Sequence, residues 1–235
     1  MKTYPILIFT LFVSSVCLGQ STYDFPVQPG TDQWRALENY AARVAVCQLP
    51  ENVLYSSSTE ELLEICLDYP FLGDIMLFNN VQSGIDAYRT NFNGASELMN
   101  RKDIYESLFN KYSKIRLSEI DEISKSRFVY RIRIQAIELL LSQDEILLNL
   151  SINQQKELVK MLIEKQEEMA KNNWYGYNDH RFLFFTIARI VMPHISLSDL
   201  SSKEQIELEA FSSTGYINDN HVFLRLYEIA TLFVT

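Results

Sequence analysis

Residues 180–192 decide the fold, and they are His-Arg-Phe-Leu-Phe-Phe-Thr-Ile-Ala-Arg-Ile-Val-Met. Apolar side chains fall on every side of a helix drawn through this segment, and Pro193 ends it. A helix that is apolar all round is buried on several sides. We therefore predict that this helix lies at the centre of the molecule.

Helix signals dominate the sequence from Thr31 onwards, and the first predicted helix is capped by Thr31 or Asp32 and ends before Pro50. Ser58 and Ser201 each begin a capping-box pattern, and Ser151 precedes the most amphipathic segment. Residues 127–142 alternate in part like a strand, but their length and the absence of turn residues favour a helix. The whole chain has only 7 Gly and 6 Pro, which is low for a many-stranded β protein.

Two segments of the second half resemble each other. Gly176-Tyr177-Asn178-Asp179-His180 is similar to Gly215-Tyr216-Ile217-Asn218-Asp219-Asn220-His221, and each copy opens an apolar helix. The spacing from His180 to His221 falls in the period of paired-helix repeats, about 40–47 residues. We predict an all-α fold in which antiparallel helix pairs stack as a short HEAT- or armadillo-like superhelix, with about nine or ten helices. A globular helical fold without repeats is the competing interpretation.

The start of the chain predicts an export signal. Lys2 precedes a short apolar run, residues 6–13, and small residues follow, so residues 1–19 are typical of a signal peptide cleaved after Gly19. The alternatives are a buried N-terminal helix and a lipid anchor at Cys17, which the bulky Val16 before it disfavours. We expect an exported protein, periplasmic or extracellular. No later run of about 20 apolar residues predicts a transmembrane segment.

The rest of the chain is expected to form one domain. Residues 20–30 contain two prolines and predict an extended leader, and residues 31–235 predict a single all-helical domain. A polar, charged stretch near 118–126 is a possible subdivision. The formal net charge of −9 argues against nonspecific nucleic-acid binding, which needs a basic face.

Two cysteines remain after the predicted cleavage. In an oxidising compartment Cys47 and Cys66 are able to form one disulfide, which would close a short loop. The alternative is two buried thiols that pack as small apolar residues. The residues leave both possibilities open.

The sequence contains few candidates for chemistry. It has no Gly-rich phosphate loop, no HExxH and no CxxC, and no adjacent pair of carboxylates is placed to converge on a substrate, so we expect no metal, cofactor or identifiable catalytic residue. His180 and His221 lie beside Asp179 and near Asp219, a pattern that fits zinc ligands but also the first turns of two capped helices. We keep both histidines as candidate binding residues.

Among the short segments, Trp174-Tyr175-Gly176-Tyr177 is the strongest candidate for a binding surface. The aromatic side chains Trp174, Tyr175 and Tyr177 are able to form a stacking surface for a peptide or a sugar. The alternative is that they fill the gap between adjacent helix pairs.

Several short sequence segments of the first half carry a resemblance to known proteins, namely Trp34-Arg35-Ala36-Leu37, Cys47-Gln48-Leu49-Pro50 and Cys66-Leu67-Asp68-Tyr69-Pro70. They resemble a family of secreted, all-helical Bacteroidetes proteins with HEAT- or armadillo-like repeats, over about residues 34–116. The resemblance implies export and a helical fold, and it implies no functional residues. We therefore expect an exported helical-repeat protein that binds a protein or peptide partner, with a carbohydrate- or peptide-active enzyme as the alternative.

Overall fold

The computed structural model describes residues 23–117, 126–172, 175–196, 198, 200–216 and 221–235. These ranges contain α-helices and short 3₁₀ turns, and none of them forms a strand. The helices are α1 (Asp32–Ala36), α2 (Tyr40–Val46), α3 (Glu51–Ser56), α4 (Thr59–Leu67), α5 (Val81–Asn91), α6 (Asn93–Met99), α7 (Ile104–Lys114), α8 (Ser126–Leu141), α9 (Asp144–Leu147), α10 (Ile152–Ala170), α11 (Arg181–Val191), α12 (Ser202–Thr214) and α13 (His221–Val234). The 3₁₀ turns are Leu72–Leu77, Tyr177–Asp179 and Met192–His194.

The prediction of an all-α stack of helices is confirmed, with more helices than the expected nine or ten. One cause is the first predicted helix, which is divided into α1 and α2. Thr31 caps α1 and Asn39 caps α2, each accepting a hydrogen bond from a backbone N–H three residues on. The backbone at Leu37 is extended, so the helix does not continue between the two caps.

Local capping determines where the longer helices begin. Ser58, Ser151 and Ser201 each accept a hydrogen bond from the amide three residues later, and that residue's side chain accepts one in return. Such a capping box satisfies two helix-end N–H groups that would otherwise have no partner. The starts of α4, α10 and α12 therefore agree with the sequence prediction.

Helix α11 lies at the centre, as its composition predicts. It packs against α8, α10, α12 and α13, and every residue from Phe182 to Ala188 is buried. Thr186 is the one polar residue in that run, and its hydroxyl donates to the carbonyl oxygens of Glu138 and Phe182. The hydroxyl therefore keeps its hydrogen bonds in an apolar environment.

The two similar segments open α11 and α13, but their glycines serve different purposes. Gly215 ends α12 in the left-handed region, with φ +64°, and a Cβ on it would lie 2.5 Å from Val81 Cγ2. The position therefore needs glycine both for its backbone conformation and for its close approach to α5. Gly176 lacks a positive φ and has room for a Cβ.

The elements before and after residues 118–125 pack against each other. Helix α5 contacts α12, and α8 contacts the 3₁₀ turn Leu72–Leu77. Arg189 on α11 donates to Gln82 on α5 at 2.6 Å. The predicted subdivision falls mostly on 118–125, which lie outside the described residues, as do the predicted signal peptide and the start of the leader.

Within the described part of the chain, no helix combines the length and the apolar character needed to cross a membrane.

Cys47 and Cys66 are the two cysteines among the described residues, and both are buried with free thiols. Cys47 caps α2, and Cys66 lies in α4 with its carbonyl oxygen accepting a hydrogen bond from Tyr88 at 2.7 Å. Burial raises the pKa of Cys47 to about 11 and that of Cys66 further, since a thiolate is poorly solvated there. Both groups are therefore neutral and slow to react at neutral pH.

We expect an aromatic disulfide reagent to label neither cysteine quickly in the native protein at neutral pH. In denaturant the same reagent is expected to label both, because unfolding exposes the thiols and restores their ordinary pKa. Labelling is measured by intact mass with and without prior reduction. An unfolded chain that reacts only after reduction would contain a disulfide between Cys47 and Cys66.

Candidate functional site

The predicted aromatic surface is only partly described. Trp174 lies outside the described residues, and Tyr177 contributes backbone to the turn Tyr177–Asp179. Tyr175 is half-buried, and its hydroxyl donates to the Leu117 carbonyl oxygen at 3.2 Å. This side chain is thus in contact with the core, and the stacking surface stays a prediction.

The two candidate histidines lie in different surroundings. His180 is half-buried, and its Nδ1 is hydrogen-bonded to Gln166 Oε1. Burial lowers the pKa of His180, against the opposing effect of the Asp179 carboxylate. His221 is exposed at the first position of α13, near the Glu204 carboxylate at the start of α12. In the described ranges no three His, Cys, Asp or Glu side chains group as metal ligands.

A cleft in the first half of the chain is a candidate binding site. Its volume is about 360 Å³, within the range of small-molecule and side-chain pockets. We call it the aromatic cleft and define it by one carboxylate, Asp74, and five rings, Tyr40, Tyr69, Phe71, Phe78 and Tyr88.

Four parts of the chain bring these side chains together, and Asp74 and Phe78 come from the 3₁₀ turn Leu72–Leu77 and the residue that follows it. Tyr40 begins α2, Tyr69 and Phe71 follow α4, and Tyr88 lies on α5. The Phe71 ring lies 5.0 Å from that of Tyr40 and 5.7 Å from that of Tyr69, centroid to centroid. Such edge-on and tilted contacts are favourable for aromatic rings and hold the wall of the cleft in place.

Gly84 on α5 makes the cleft possible by allowing a close helix contact. A Cβ at this position would lie 2.5 Å from the Ile75 carbonyl oxygen, which is backbone and has little freedom to move. Glycine therefore lets the 3₁₀ turn Leu72–Leu77 pack directly on α5. This packing places Asp74, a residue of the 3₁₀ turn, at the cleft.

The polar groups of the aromatic cleft are few. The Tyr40 hydroxyl donates to Asp74 Oδ2 at 2.8 Å, and burial together with this bond raises the pKa of Tyr40 to about 12. The Tyr69 hydroxyl is buried, and none of the described residues forms a hydrogen bond with it. Burying an unpartnered hydroxyl is unfavourable, which marks Tyr69 as a group that a ligand could satisfy.

A second candidate is a buried acid on α8. Glu138 is 0% exposed, and its Oε1 accepts a hydrogen bond from the Tyr112 hydroxyl at 2.6 Å. Burial raises the pKa of Glu138 to about 8, the Tyr112 bond opposes that shift, and the nearby Asp179 carboxylate adds to it. Asp179 is ion-paired with Arg131 and accepts a hydrogen bond from Gln135. Oε2 of Glu138 has no hydrogen bond to any residue that the structure describes.

Neither candidate was visible in the sequence as a motif. The five rings of the aromatic cleft are spread over four parts of the chain, and only their tertiary positions unite them. On a helix through 127–142, Glu138 shares one face with Arg131, Gln135 and Ser142, and the last two are buried together with Glu138. This face is covered because α7 and α11 both pack on α8.

No protein-family model, characterised protein or solved structure matches this chain. The two candidate sites are therefore the basis for a proposal about its function.

Proposed function

We propose that this chain is an exported helical binding protein that takes a side chain of a protein or peptide partner into the aromatic cleft. The observation that carries the proposal is the cleft itself, which is open, lined by five rings and equipped with one carboxylate. Aromatic pockets of this kind hold the anchor residues that dominate binding energy in protein interfaces. Tyr40 is 49% and Phe78 40% exposed, so part of the apolar wall is available to a partner.

A cleft-filling variant tests this proposal. Ala87 lies on α5 and lines the cleft, so Ala87→Leu fills the space with a residue that favours helix. Peptides would be selected from a displayed random library on the wild-type protein, and their affinities measured by calorimetry. We expect at least tenfold weaker binding to Ala87→Leu, equivalent to about 1.4 kcal/mol.

The matched control is Ala210→Leu, at an exposed position of α12. It makes the same chemical change away from the cleft and is expected to leave affinity unchanged. Selected peptides that bind both variants as well as the wild type would overturn the proposal.

Export is part of the same proposal and has its own test. The intact mass of the protein recovered outside the cytoplasm is expected to begin at Gln20. A chain cleaved before Cys17 and carrying acyl groups would instead be a lipid-anchored protein.

An enzyme acting on carbohydrates or peptides is the second candidate, and the Glu138–Asp179 pair favours it. Two carboxyls whose surroundings hold one protonated and the other ionised are the usual basis of acid–base catalysis. Against it, Glu138 is fully buried and lines none of the described clefts. Hydrolysis of a glycan or peptide panel that is lost in Glu138→Gln would favour the enzyme over the binding protein.

A further inference from the structure

We propose that the occupant of the aromatic cleft is a basic side chain, the ammonium of a lysine or the guanidinium of an arginine on the partner. This inference rests on the proposed function and specifies the chemistry that the cleft recognises. It follows from the charge of the cleft, the rings that line it and a cation already bound to the same aromatic cluster.

The charge of the cleft is uncompensated. Asp74 is the one charged side chain among the described residues that line it. Its only side-chain partner in the described ranges is the neutral Tyr40 hydroxyl, which bonds to Oδ2. An ionised carboxylate accepts up to about four hydrogen bonds, so Oδ1 remains available to an N–H donor. None of these described lining residues is basic, so none of them attracts an anion.

The rings favour the same occupant. The face of an aromatic ring carries negative potential and attracts an alkylammonium or guanidinium group within about 6 Å of its centroid. The aliphatic stem of a lysine or arginine is apolar and suits the walls formed by Ile75 and Leu77. One side chain thus meets both the apolar and the charged features of the cleft.

The neighbouring aromatic cluster already holds a cation of this chain. The Arg43 guanidinium carbon lies 5.8 Å from the centroid of the Trp34 ring. Trp34 packs on Phe71, a ring of the cleft, at 5.2 Å. A ring in contact with the cleft thus accepts a guanidinium group at cation–π distance. The net charge of −9 also attracts basic partners over longer distances.

The test uses small probes and amide proton–nitrogen correlation NMR on the full chain. The probes are the Nα-acetyl methylamides of lysine, arginine and norleucine, which share an aliphatic stem and differ in charge. Saturable shifts of the Gly84 and Ala87 amides are expected with the lysine or the arginine probe. The norleucine probe is expected to bind the wild type about tenfold more weakly than the lysine or arginine probe does. The Asp74→Asn variant is expected to bind the basic probe about tenfold more weakly than the wild type, because the charge-assisted contact is lost in both cases.

The control variant is Asp86→Asn, which removes an exposed carboxylate from α5 outside the cleft and is expected to bind as the wild type does. Equal affinity for norleucine and lysine, with no effect of Asp74→Asn, would overturn the inference and leave the cleft as an apolar binding site. If no probe gives saturable shifts, or if Ala87→Leu gives the same shifts as the wild type, the proposed function fails as well.

Discussion

Replacing Glu138 with glutamine is expected to stabilise the protein by about 2 kcal/mol above pH 8 and to destabilise it by about 1–3 kcal/mol near pH 4, where only the cost of the extra buried N–H remains. The physical reason is the cost of keeping this carboxyl in the core. In the unfolded chain it ionises with a pKa near 4.5, whereas in the fold burial raises the pKa to about 8. The folded state must therefore hold a proton that the unfolded state releases.

The sign of the pH dependence follows from the number of bound protons. Between pH 4.5 and about 8 the folded state binds more protons than the unfolded state at Glu138, so the free energy of unfolding falls as pH rises. The contribution of Glu138 is fully present below pH 4.5 and is lost once the pH passes the folded pKa. Glutamine does not titrate, so the free energy of unfolding of Glu138→Gln lacks this contribution to the pH dependence.

The expected gain is smaller than the full pKa shift implies. That shift corresponds to about 4–5 kcal/mol, but glutamine places a second N–H where Glu138 Oε2 has no described partner. An unsatisfied buried donor costs about 1–3 kcal/mol. The bond from Tyr112 survives, since the amide oxygen accepts it as Oε1 does.

The measurement is denaturant unfolding of wild type and Glu138→Gln at several pH values, taken as the difference between the two proteins. Glu164→Gln on α10 is the control, because this carboxylate is exposed. Its difference from wild type is expected to be near zero at every pH. If the free energies of unfolding of wild type and Glu138→Gln change with pH in parallel, the Glu138 carboxyl is not held protonated in the fold.

Replacing Phe185 with alanine is expected to lower the free energy of unfolding by about 3–5 kcal/mol, the range for large aromatic truncations in a core. Phe185 is 0% exposed on the central helix α11. Its ring lies edge-on to Phe211 at 6.2 Å, and the Arg189 guanidinium carbon lies 5.5 Å from its centroid. Alanine removes these contacts and leaves a cavity between helices that cannot close fully.

Leu224→Ala is the matched control, since it also truncates an apolar helical residue but at a position that is 66% exposed on α13. Its effect is expected to stay within about 0.5 kcal/mol, as for most surface positions. Both variants would be compared by calorimetry and denaturant unfolding. Similar small losses in the two variants would mean that α11 is not the centre of the core.

The sequence was sufficient for the helices themselves. Ser58, Ser151 and Ser201 marked helix starts because a cap acts within one turn of the chain and needs no tertiary information. The mostly apolar composition of 181–191 placed α11 at the centre because apolar side chains fall on every side of the helix. The division of the first predicted helix was missed, although Asn39 is a residue type that commonly caps helices.

Only the tertiary structure brings together the residues of the two candidate sites. Tyr40, Asp74 and Tyr88 meet only because the close contact at Gly84 brings the 3₁₀ turn onto α5, and no spacing in the sequence encodes that meeting. Glu138 is a polar residue on a helical face of mixed character, and only the packing of α7 and α11 on α8 makes it a buried acid. Helix formation depends on neighbours along the chain, whereas a cleft and a shifted pKa depend on neighbours in space.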